Sequence, residues 1–80
     1  MSVSVEHPTD RPNFYIVHGS GQSVAFSYRT IIGVNNRNGS GWFVRVNEWG
    51  PTTGKHMNYL DDGRKSERVD GATLQGMVTL

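Results

Sequence analysis

Ser23-Val24-Ala25-Phe26-Ser27-Tyr28-Arg29-Thr30-Ile31-Ile32-Gly33-Val34 is the stretch that decides the fold. Val24, Phe26 and Tyr28 alternate with Ser23, Ala25 and Ser27, and the same parity runs on through Thr30, Ile32 and Val34. That is the period-two pattern of a half-buried strand. Upstream, Phe14-Tyr15-Ile16-Val17 is a short β-favouring run closed by Gly19-Ser20-Gly21, a strand and its tight turn. Downstream, Asn35-Asn36-Arg37-Asn38-Gly39-Ser40-Gly41 gathers residues that tolerate positive φ, as a hairpin loop requires. In Trp42-Phe43-Val44-Arg45-Val46, Trp42, Val44 and Val46 share one face and Phe43 and Arg45 the other. This strand is expected to pair antiparallel with the one before it.

Beyond the meander the period changes. Pro51 suits the first turn of a helix, and Thr53, Met57 and Leu60 fall on one face at helical spacing, so a short helix is expected from about Pro51 to Leu60. Asp61-Asp62-Gly63-Arg64-Lys65 ends it as a charged turn with Gly63 suited to the left-handed conformation. Asp61 and Asp62 stand at the negative end of that helix, so packing of Met57 and Leu60 must hold it. Ser66 to Val69 reads as strand, and the tail from Asp70 reads either as a second helix or as edge strand. Residues 1–12, with Pro8, Asp10 and Pro12 among polar neighbours, read as a flexible arm. The expected architecture is a small α+β domain over 13–80, an antiparallel β-meander of about four strands with one short helix.

Composition narrows the chemistry. A chain of 80 residues buries only about 60% of the surface its unfolded form exposes, so its core is thin and self-association into a homo-oligomer would help it. With no cysteine, disulfides, thiolate metal sites and cysteine nucleophiles are excluded together. His7, His18 and His56 stand far apart in no ligand spacing, so no metal and no cofactor is expected. A net charge of +1 provides no global field for nucleic acid or a membrane. The opening residues lack a signal-peptide pattern and no apolar run spans a bilayer, which points to a soluble, intracellular protein.

The richest polar chemistry lies in Glu48-Trp49-Gly50-Pro51-Thr52-Thr53-Gly54-Lys55-His56-Met57-Asn58-Tyr59-Leu60. Gly50 to Lys55 fails the phosphate-loop pattern G-x-x-x-x-G-K-[ST], because three residues rather than four separate the glycines and His56 stands at the hydroxyl position. A helix start carrying Thr52, Thr53 and Lys55 still offers N–H groups, hydroxyls and a cation to an anion. The alternatives are a threonine that merely caps the helix, a solvated Lys55, a packed His56 and a Trp49 that anchors the helix on the sheet. Arg29, Arg37, Arg45, Arg64 and Lys65, interleaved with Tyr28, Phe43 and Tyr59, suggest single-stranded nucleic acid, but acids nearly balance them. No G-x-S-x-G elbow is present, Asp61 and Asp62 read as solvated, and no enzyme is expected.

Ser27-Tyr28-Arg29-Thr30-Ile31-Ile32-Gly33 together with Asn47-Glu48-Trp49-Gly50-Pro51-Thr52-Thr53-Gly54-Lys55-His56-Met57-Asn58 resembles a family of small bacteriophage proteins of uncharacterised function. Its members look like S-Y-x-T-x-[IV]-[AG] followed, after a hairpin, by [WY]-[SG]-x-T-T-x-[KR]-H-x-N. The resemblance covers roughly Phe26 to Leu60 and marks Tyr28, Thr30, Thr52, Thr53, Lys55, His56 and Asn58. Here Gly54 stands where relatives carry serine. The resemblance implies a phage origin, the cytoplasm of an infected bacterium as the setting, and no particular reaction. With it, the polar cluster reads as a ligand site rather than a cap. The expected function is a non-enzymatic accessory protein that counters host defence by binding a small anionic ligand such as a cyclic oligonucleotide signal. Tyr28, Trp49, Thr52, Thr53, Lys55, His56 and Asn58 form that site. The rivals are an adaptor or inhibitor docking on a host protein and a nucleic-acid-binding protein.

Overall fold

A computed structural model describes residues 4–8, 12–37, 41–63 and 68–79. In chain order the elements are β1 (Ser4–Glu6), β2 (Phe14–His18), β3 (Ser23–Ser27), β4 (Thr30–Asn35), β5 (Trp42–Val44), α1 (Pro51–Asp61) and α2 (Gly71–Met77). The five strands form one sheet in sequence order, each antiparallel to its neighbours. This is the small α+β meander expected, with one more strand and one more helix.

Two strands go beyond the expected set, β1 within the arm and one from inside the stretch that decides the fold. Residues 23–34, read as one strand, are two: the chain reverses at Tyr28-Arg29, and Ser27 pairs with Thr30. Tyr28 takes φ 57°, and its N–H donates to the Asn13 carbonyl at 2.7 Å, which anchors the hairpin tip on the start of β2. The register then shifts, since Phe26 faces Ile31 whereas Ala25 faces Gly33. Ile32 is the extra residue of this bulge, so Ile32 and Gly33 both reach the α1 side.

Alternation sorts the side chains into two faces. On one, Phe14, Ile16, Ala25, Ile32 and Val44 cluster with Met57 of α1, and Trp42 and Leu60 pack against them. Gly33 lies directly beneath α1, where a Cβ would come within 2.6 Å of Leu60 Cδ1 and 3.2 Å of Trp42 Cε3. On the other face, Val24 and Val34 are buried where α2, with its buried Leu74, packs against β4. The molecule therefore has three layers, α1, sheet and α2.

The tail resolves to helix. Asp70 caps it by accepting from the Thr73 N–H at 2.7 Å, and Gln22, itself buried, holds its far end. Gln22 Nε2 donates to the Met77 carbonyl at 2.6 Å and Gln22 Oε1 accepts from the Thr79 N–H at 2.9 Å. Of the strand read over Ser66 to Val69, Val69 forms an isolated parallel bridge with Arg45, while Ser66 and Glu67 lie outside the described residues, as do Arg64 and Lys65 of the charged turn. Gly63 is left-handed as expected, with φ 80°. Within the arm, Ser4–Glu6 forms β1 although its sequence is too short to show a period; His18 secures it, its Nε2 lying 3.1 Å from Glu6 Oε1. No helix among the described residues is long and apolar enough to cross a membrane.

Candidate functional site

The start of α1 is open. Gly50 occupies the N-cap position in an extended conformation and provides no side-chain cap, Pro51 follows it, and the first turn holds no acid. Neither threonine caps the helix in the way a capping role would require. Thr52 is exposed, while Thr53 is turned inward, its Oγ1 3.2 Å from Ser27 Oγ. The backbone N–H groups of this first turn lack the side-chain acceptor that usually satisfies one of them, and they carry the positive end of the helix dipole.

Ser27 links two parts of the predicted cluster. Its Oγ is also 2.7 Å from His56 Nδ1, so one hydroxyl is shared between Thr53 and His56. His56 is only 2% exposed and stacks on Phe14 at a centroid distance of 5.0 Å and an interplanar angle of 8°. The imidazole is thus part of the α1 interface. Asn58 is exposed, but its Oδ1 accepts from Arg68 Nη2 at 2.9 Å. Arg68 also binds the buried Asp61 carboxylate, Nε to Oδ2 at 3.0 Å, and this cation compensates the acid at the negative end of α1.

Tyr28, Trp49, Thr52 and Lys55 remain on the surface. Tyr28 is 53% exposed and Trp49 43%. Both line one cavity of about 230 Å³, with Ser27, Thr30 and Thr53 completing its wall. Arg45 braces Trp49 from outside that cavity, its guanidinium carbon 4.7 Å from the ring centroid, and Trp49 N–H donates to Asn47 Oδ1 at 2.8 Å. A larger groove, about 720 Å³, runs along α1 between Pro12, Thr52, Lys55, His56, Asn58, Tyr59 and Asp62. The two hollows meet the same first turn, Thr53 lining the smaller and Thr52 the larger.

The predicted residues therefore divide. Tyr28, Trp49 and Thr53 gather at one hollow, Thr52, Lys55, His56 and Asn58 at the other, and His56 and Asn58 are already engaged within the protein. Pro12, Ser27, Tyr59 and Asp62 were not singled out from sequence as site residues. Ser27 and Thr53 are 26 positions apart, and no local pattern announces that they touch. Among the described residues no three His, Asp or Glu side chains come together to hold a metal.

No curated protein and no solved structure matches the chain. A family model does, over residues 4–76, which takes in every strand of the sheet and all but the last residue of α2. The chain belongs to that family, DUF8033, a family of unknown function.

Proposed function

We propose that this protein is a non-enzymatic binding module for a small anionic ligand of the nucleotide class, taken up at the start of α1. The observation that carries this reading is the placement of Tyr28 and Trp49, both exposed, on one cavity beside an uncapped helix start. A cavity of about 230 Å³ falls below the roughly 300–1,000 Å³ of pockets that enclose a whole drug-sized ligand, so it suits one flat ring. A base lies there against an aromatic face, worth about 1–3 kcal/mol per stack. The phosphate rests on the first-turn N–H groups with Thr52 and Lys55 beside it. A second base of a dinucleotide reaches the larger groove, where Tyr59 is 44% exposed. In the phage setting that the sequence resemblance implies, such a module sequesters a cyclic oligonucleotide signal of host immunity in the infected cytoplasm.

A thermal-shift panel of mono-, di- and cyclic nucleotides, with short single strands as controls, tests this. A true ligand at about a hundred times its dissociation constant adds about 2.7 kcal/mol of stability. Tyr28→Ala, Trp49→Ala and Lys55→Ala should each weaken that response. Silence across the panel with folded protein overturns the reading and turns the search to a host protein, and a response to strand length with steep salt dependence indicates nucleic acid instead.

A further inference from the structure

Lys55 and Asn58 stand on a ridge of α1 between two grooves. The second groove, about 510 Å³, runs between α1, Asn47 of the loop after β5, and Arg68. That volume falls within the roughly 300–1,000 Å³ of small-ligand sites. Its polar groups are of one kind. Asn47 Oδ1 accepts from the Trp49 backbone N–H at 2.8 Å, and Asn58 Oδ1 accepts from Arg68 Nη2 at 2.9 Å. Both of those partners can only donate, so each amide is fixed in orientation and its NH2 end is the one left over. Asn58 Nδ2 makes no hydrogen bond among the described residues, and Asn47 Nδ2 reaches only the Gly50 carbonyl, at a long 3.5 Å.

The two cations extend this set of donors. The Arg68 side chain is only 3% exposed, and its Nε and Nη2 are committed to the Asp61 carboxylate at 3.0 and 3.2 Å. Its Nη1 makes no hydrogen bond among the described residues. The one buried side-chain nitrogen or oxygen left unpartnered there is Arg45 Nε, so Arg68 Nη1 is not sealed off, and it is the nitrogen that can serve the groove. Lys55 pairs with no acid, and no carboxylate lines the groove, among the described residues. Gly54 is part of the wall, and a Cβ there would stand 3.1 Å from Asn47 Nδ2, so the missing side chain keeps that donor open.

We infer that this groove is a binding site for a phosphate-class oxyanion, held by Asn47, Lys55, Asn58 and Arg68 Nη1. A site that offers donors and positive charge, with its amide oxygens already engaged, selects a ligand that only accepts. The Nε/Nη2 edge of Arg68, which would grip a planar carboxylate with two parallel bonds, is spent on Asp61. What remains are single donors from three separate segments, which suit an ion with oxygens in several directions. The inference does not depend on a nucleotide.

The side-chain NH2 resonances of Asn47 and Asn58 in the nitrogen-15-labelled chain test it directly. Inorganic phosphate, added at constant ionic strength against chloride, should move both saturably. Asn58→Asp keeps an acceptor for Arg68 but removes the donor and sets a negative charge against the anion. It should leave the protein folded and weaken phosphate binding by roughly tenfold or more. Gly54→Ala, which favours the helix, should also weaken binding without loss of fold. Asparagine resonances that phosphate does not move overturn the inference, as does affinity that Asn58→Asp leaves intact. Acetate acting as strongly as phosphate overturns the choice of oxyanion. A response to a nucleoside monophosphate with none to inorganic phosphate overturns the site and leaves the nucleotide reading standing.

Discussion

Ser27 Oγ lies 2.7 Å from His56 Nδ1, and this buried bond ties the end of β3 to the middle of α1. The same oxygen reaches Thr53 Oγ1 at 3.2 Å. Removing it leaves two interior polar groups without that partner, where water reaches poorly. Ser27→Ala should therefore cost about 1–3 kcal/mol, read as a lower urea midpoint. An unchanged midpoint would show that the bond contributes nothing net.

Gly33 is glycine because α1 crosses it. A Cβ there would stand 2.6 Å from Leu60 Cδ1 and 3.2 Å from Trp42 Cε3. Leu60 can turn its methyl partly away, so Gly33→Ala should destabilise by about 1–2 kcal/mol, toward the low end for overpacking. Trimming the obstacle should compensate: Leu60→Ala should cost less in the Gly33→Ala background than alone, a coupling that a double-mutant cycle measures.

Asp70 makes the far helix sensitive to acid. Its carboxylate accepts from the Thr73 backbone N–H, and this bond, followed by the Thr73 side chain and the more distant Arg45 charge, holds its pKa below the ordinary carboxylate value. A lowered folded-state pKa means the cap stabilises fully above the unfolded carboxylate range and is lost as pH falls through the folded value. Asp70→Asn should thus lower the urea midpoint at neutral pH, and the gap between variant and wild type should close in acid. A gap that persists at low pH would contradict the charged cap.

Gly71 makes room for Arg45. The guanidinium occupies the space a Cβ at Gly71 would take, while its other face covers Trp49 at 4.7 Å and its Nη2 lies 3.6 Å from Glu48. Gly71→Ala should displace Arg45 and loosen Trp49, moving the Trp49 indole N–H resonance while that of Trp42 stays. If the nucleotide reading holds, the same substitution should weaken ligand binding although it touches no ligand.

How much of this the chain reveals depends on range. Phe14-Tyr15-Ile16-Val17, Trp42-Phe43-Val44 and the helix from Pro51 are written in local periods, and the structure places elements there. The reversal at Tyr28-Arg29 was missed because Ser27-Tyr28-Arg29-Thr30 lacks the glycine, asparagine or proline that marks a turn, and because its anchor, Asn13, sits 15 positions away. The bulge at Ile32 then kept an apparently regular alternation running through two strands. In the site, the exposed Lys55 agrees with the solvated charge its sequence context suggests, whereas Trp49, whose sequence context suggests an anchor of the helix on the sheet, is 43% exposed. The inward turn of Thr53 and His56 depends on Ser27, which only tertiary pairing brings near.

Gln22 grips the backbone of Met77 and Thr79, joining points 55 and 57 positions apart in an 80-residue chain. Such a link cannot close while the ribosome still holds the downstream residues. The β2–β3–β4 meander emerges first with Val24 and Val34 uncovered, and it waits for α2 until synthesis has passed residue 79. During translation the nascent chain therefore presents the apolar sheet face to its surroundings, the interval in which chaperone capture or premature association competes with native closure.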